Sequence, residues 1–116
     1  MMQWLLVGAG GAVGATLRYG VGLAAVRLGV GFPWGTLIVN IVGGLAMGLL
    51  AARTEDLNLR LLLGVGVLGG FTTFSAFSLE SVRLMQSAPH LAALYVASSL
   101  VLSIGACWLG LVLGRP

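Results

Sequence analysis

Nothing between Arg60 and Glu80 carries a charge, and that run is long enough to cross a bilayer. In hydrocarbon every backbone N–H and C=O must find a partner inside the protein, so regular helix is the default. Yet the middle of the run reads Gly69-Gly70-Phe71-Thr72-Thr73-Phe74-Ser75-Ala76-Phe77-Ser78. Two glycines followed by two β-branched threonines make a poor helix. Broken backbone at such depth persists only where it is buried in protein or lines a wet cavity. The stretch therefore predicts a helix interrupted at Gly69–Thr72, whose freed carbonyls hold a cation. The helix restarts near Thr73 and carries Phe74, Phe77, Ser75 and Ser78 into an ion path.

The rest of the chain is of the same kind. Of its 116 residues, 59% are apolar and 8% charged, against about 25% charged in a soluble domain. Mean hydropathy is +1.07. Four apolar spans are predicted, roughly 3–27, 33–52, 59–86 and 89–113, giving an all-α membrane protein with one transmembrane domain over 1–116. Met1-Met2-Gln3 lacks the basic start of a signal peptide, so the first segment reads as a retained span. The net charge of +3 comes with six arginines scattered singly, a pattern that does not suggest nucleic acid. Cys107 is alone in an apolar run and reads as a small packing residue. His90 has no nucleophile or metal partner in view, which argues against an enzyme.

Small and polar residues recur at helical spacing. Gly10 and Gly14, Gly44 and Gly48, and Gly66 and Gly70 each repeat at four, the spacing that lets membrane helices approach closely. Arg18 is either a snorkelling side chain or a buried anchor that fixes a helix end or draws anions to a vestibule. Asn40 lies one turn after Thr36; it serves as interhelical glue or as a pore-facing amide donating to an anion. Glu80 pairs with Arg83 at i,i+3 or sits at a pore mouth. Tyr95, Ser99 and Ser103 form one stripe of hydroxyls, either glue between helices or a track for a desolvated ion. Phe74 and Phe77 share a face; the pair is core packing or, set among Ser75, Ser78 and the two threonines, rings whose electropositive edges can hold an anion. A ring of such weak contacts partly replaces a hydration shell.

The arginines also speak to orientation. The N-terminal side carries Arg53, Arg60 and Arg115, and the other side Arg27, Arg83 and, if it reaches, Arg18. Insertion is set by such a bias, and here the bias is close to nil. Two copies inserted in opposite directions could pair about an axis in the membrane plane, and four carbonyls from two broken helices suit a desolvated monovalent cation.

Three segments carry a resemblance that covers essentially the whole chain: Gly11 to Tyr19, Gly35 to Asn40, and Gly69 to Glu80. The sequence resembles the CrcB (Fluc) family of fluoride channels. The third segment is the most specific, and Ala76 departs from it where threonine is frequent. The resemblance implies an antiparallel dual-topology homodimer of four-helix subunits, the third helix broken mid-membrane. It implies a structural, untransported Na+ on backbone carbonyls of Gly69 and Thr72 from each copy. It implies fluoride pores lined by Asn40, Phe74, Phe77, Ser75, Tyr95, Ser99 and Ser103, with Arg18, Glu80 and Thr36 as vestibule or anchor positions. The implied work is passive fluoride export across a prokaryotic inner membrane. Two rival readings are a proton-coupled multidrug exporter and a non-conducting membrane scaffold. The exporter needs a carboxylate in the first span, which has no Asp or Glu. The scaffold leaves the glycine–threonine stretch unexplained.

Overall fold

The computed structural model describes residues 1–116 and contains no element other than helix. Helix α1 is Met2–Ala25, continued by a 3-10 turn at Val26–Leu28, and α2 is Trp34–Arg53. Helix α3 covers 57–71, α4 is Ser75–Ser87 and α5 is Pro89–Gly114. Gly29, at φ 116°, turns the chain between α1 and α2 in a region that side chains with a Cβ avoid. Asp56 starts α3 by accepting the Leu59 amide at 3.0 Å.

Trp34–Arg53, Leu57–Ser87 and Pro89–Gly114 are long and apolar enough to cross a membrane. The sequence predicts four spans, and α1 is not among these three. It has the length, 24 residues, but its many glycines and Arg18 dilute its hydropathy. Only 16 of 116 residues are buried, and Trp4, Leu23, Ile104, Trp108 and Leu113 all lie open. That surface suits lipid rather than water. The long dimension, 45 Å, matches a bilayer with its headgroups, about 40–45 Å.

Glycines join the helices in two pairs. Between α1 and α3, a Cβ added to Gly10 would lie 2.9 Å from the Gly66 Cα, and one on Gly70 would lie 2.7 Å from the Gly11 carbonyl oxygen. Between α2 and α5, a Cβ on Gly44 would lie 2.7 Å from the Ser103 carbonyl oxygen. Gly48 and Gly110 face each other, and a Cβ on Gly48 would sit 3.0 Å from the Gly110 Cα. Backbones this close gain dispersion contacts that bulkier residues forbid. Over Arg60–Leu68, α3 is wound as a wider π-helix.

The helical winding stops at Thr72–Phe74, not at Gly69–Thr72. Gly69, Gly70 and Phe71 remain helical, and Thr72 is the first residue to extend, at φ −87° and ψ 161°. The physical reason lies outside the glycines. The Thr72 amide still reaches the Leu68 carbonyl at 3.0 Å, and its hydroxyl donates to the same oxygen at 2.9 Å. The next amide, that of Thr73, leaves the helix for Asn40 on α2. Gly70 instead provides the close approach to α1.

Candidate functional site

Asn40 clasps the backbone of Thr73 from both sides. Its Nδ2 donates to the Thr73 carbonyl at 3.1 Å, and its Oδ1 accepts the Thr73 amide at 2.9 Å. An amide N–H only donates and a carbonyl only accepts, so this pairing fixes which way the Asn40 side chain faces. Two carbonyls beside the interruption lose their helical partners. In a continuous helix the Thr73 amide would close the Gly69 carbonyl, and the Ala76 amide would close that of Thr72. The Thr73 amide is on Asn40, and the Ala76 amide is on the Thr73 hydroxyl at 3.1 Å. Gly69 and Thr72 therefore both lack their helical donors. Between them, the Gly70 carbonyl accepts from Arg18 Nε at 3.0 Å.

Arg18 is thus an anchor tying α1 to the end of α3. Arg18→Leu should lower the midpoint of thermal unfolding in detergent by several degrees, since a hydrogen bond from a charged donor contributes about 1.5–3 kcal/mol. Arg18→Lys should recover only part of it. An unchanged midpoint in Arg18→Leu would show that the bond adds nothing.

A groove of about 450 Å³ opens beside the interruption. Asn40, Phe74, Phe77, Ser99 and Ser103 line it, together with Gly69 and Thr72. Ser99 is 4% exposed, and the hydroxyls of Ser99 and Ser103 are buried with no hydrogen-bond partner. The Phe74 and Phe77 rings lie 5.4 Å apart, tilted at 50°. Phe77 is 8% exposed and Phe74 73%, so one ring is built into the subunit and the other projects from it.

The remaining sequence-predicted positions fall outside this groove. Ser75 is exposed, its hydroxyl 3.2 Å from that of Thr73. Ser78 is turned back onto the Phe74 carbonyl at 2.8 Å. Tyr95 is fully enclosed, its ring 5.2 Å from that of Phe77 and 5.4 Å from that of Phe32. Its hydroxyl donates to Glu80 Oε1 at 3.2 Å, so the partner Glu80 meets is Tyr95 and not Arg83. Thr36 and Glu80 share a smaller cavity of about 250 Å³ with Pro33 and Trp34. Several lining residues were missed from sequence, among them Met47, Leu100, Ile104 and Cys107. For Cys107 the signal was available, because it follows Ser103 by four residues just as Ser103 follows Ser99.

Fold and groove together define a small multi-pass α-helical membrane protein with a polar seam running through an otherwise apolar bundle. The model of the CrcB-like protein, Camphor Resistance (CrcB) family matches residues 5–111. The chain belongs to that family. It is 53% identical to a Hyphomonas neptunium protein named fluoride-specific ion channel FluC, over 99% of this chain and 97% of the relative. Proteins of the same name from Agrobacterium fabrum, 52% identical over 99% of this chain and 98% of the relative, and from Caulobacter sp., 49% identical over 99% and 96%, match equally fully. By their names these relatives are ion channels, not enzymes.

Proposed function

We propose that this chain forms a fluoride-selective channel for passive fluoride export, which lowers fluoride and its toxicity in the cytoplasm. The observation that carries the reading is the pair of buried, unpartnered hydroxyls of Ser99 and Ser103, two residues that line the same groove as Asn40 and the two phenylalanines. A buried hydroxyl without a partner is unfavourable by about 1–3 kcal/mol, and a desolvated anion in the groove would relieve two of them at once. The second Asn40 N–H and the positive edges of Phe74 and Phe77 would add donors without a fixed charge. Contacts that are each weak let the ion leave as readily as it enters.

The working unit in this reading is an antiparallel homodimer in the bilayer, with α1 crossing as the fourth span and the interruption at mid-membrane. Two observations support it: near-equal arginine counts on the two sides, and Phe74 projecting from the single chain. The Gly69 and Thr72 carbonyls, lacking helical donors, fit a hard monovalent cation. Four of them from two copies would hold a structural Na+, which is not transported; its charge would favour anions nearby. The location is a prokaryotic inner membrane. Neutral HF crosses lipid, dissociates in the less acidic cytoplasm and is trapped as the anion; the channel lets it leak out.

Purified protein in liposomes should release fluoride and retain chloride, and should need sodium. Fluoride flux absent under all conditions would remove the channel reading. Phe74→Ile should assemble normally and lose at least about tenfold in flux, because an aliphatic side chain offers no positive edge. Unchanged flux would return that ring to a packing role.

A further inference from the structure

Glu80 is a carboxylate without a cation. It lies within the crossing Leu57–Ser87, where an ionisable side chain is costly and is normally paired. Its Oε1 accepts from the neutral Tyr95 hydroxyl at 3.2 Å, and nothing in the chain bonds to Oε2. Arg83 follows one turn later on α4 and lines a cavity of about 320 Å³ together with Glu80. Its guanidinium does not reach Glu80; only the Arg83 backbone carbonyl is engaged by a side chain, the Ser87 hydroxyl at 3.1 Å. On its other side Glu80 borders the cavity of about 250 Å³, as the one charged side chain on that wall. Phe32 and Trp34 stand on the same wall, their rings 4.7 Å apart and tilted at 50°. Val26 and Val30 line it too and are 58% and 89% exposed, so the cavity is open at the end of the bundle. It shares no lining residue with the groove beside the interruption.

We propose that this cavity binds a small alkylammonium cation, with Glu80 as its counter-charge and Phe32 and Trp34 as its aromatic wall. One carboxylate among aromatic and aliphatic side chains is poor chemistry for a divalent metal, which wants about six or more oxygens. No group of three His, Cys, Asp or Glu gathers anywhere in the chain. An organic ammonium needs less. Ring faces are electronegative and attract a weakly hydrated cation, most strongly where water is excluded. A mostly apolar cavity with a few polar groups is the usual form of a small-molecule site. Arg83 is then the competitor: a guanidinium one turn from Glu80 repels the guest and lowers its affinity. The site stands whether or not the chain conducts fluoride.

The test titrates tetramethylammonium into the whole protein in detergent, with sodium chloride holding the ionic strength constant. Tryptophan emission and the midpoint of thermal unfolding are read together. Both should shift and saturate, because a ligand bound only to the folded chain stabilises it. Glu80→Gln keeps an oxygen for the Tyr95 hydroxyl and removes the charge, so binding should weaken at least about tenfold. Trp34→Leu should weaken it about threefold or more. Arg83→Gln should tighten it about threefold or more, since a repelling charge is gone. If Glu80→Gln fails to fold, the sign of the Arg83→Gln change decides alone. No saturable shift, an equal shift when potassium replaces tetramethylammonium, undiminished binding in Glu80→Gln, or weaker binding in Arg83→Gln would each overturn the proposal.

Discussion

Asn40→Asp is expected to abolish fluoride efflux near neutral pH, with a fall of at least a hundredfold in liposomes. The substitution keeps one oxygen to accept the Thr73 amide, but turns the Nδ2 donor into a second acceptor facing the Thr73 carbonyl. One bond of the clasp becomes a repulsion. If the carboxyl is ionised it also opposes the permeant ion. Two like unit charges 4 Å apart repel by about 4 kcal/mol at an effective dielectric of 20. Each 1.4 kcal/mol is about tenfold, so even part of that repulsion accounts for the drop. The direction with pH follows from the same geometry. Once protonated, the introduced carboxyl would regain a donor toward the Thr73 carbonyl and lose its charge, so flux should partly recover as pH falls. Efflux in Asn40→Asp equal to the parent at neutral pH would show that Asn40 neither holds the interruption nor faces the ion.

Gly48→Val is expected to have the largest effect on stability. Its Cβ would run into the Cys107 carbonyl, with the Leu111 nitrogen at 2.8 Å and the Gly110 Cα at 3.0 Å. These are backbone atoms and cannot swing aside. The helices must separate, and the penalty should reach about 3 kcal/mol or more. Gly14→Val should behave alike, because its Cβ would meet the Val67 carbonyl and lie 2.8 Å from the Phe71 nitrogen. Gly8→Ala is the matched control: a Cβ there meets nothing within 4 Å, so its stability should stay within about 0.5 kcal/mol. Size-exclusion profiles and unfolding midpoints in detergent read all three. A monodisperse Gly48→Val with the parent's midpoint would mean that α2 and α5 are not joined through backbone contact.

The three glycine pairs picked out by spacing, at 10 and 14, 44 and 48, and 66 and 70, all lie at helix contacts. Gly110 completes one of these contacts; it too repeats at four, with Gly114, a pair the spacing argument passed over, and that Gly48 is what faces it only the packing shows. Similarly, the hydroxyl stripe was legible as a stripe, but a helical projection treats Tyr95 and Cys107 as its two equal ends. Packing decides otherwise: Phe32 and Phe77 enclose Tyr95, and Cys107 opens into the groove.

Composition alone determined that this chain is a helical membrane protein, because hydrocarbon leaves a backbone so few ways to satisfy itself. Local residue chemistry also marked the stretch from Gly69 to Ser78 as weak helix. Tertiary structure decided where the winding stops. Glycine and threonine make helix poor over a whole stretch, whereas the interruption needs one amide, that of Thr73, to find an acceptor other than the Gly69 carbonyl four residues back. That acceptor is Asn40 Oδ1, which lies 33 residues away in the chain and is brought to Thr73 only by the folding of α2 against the end of α3.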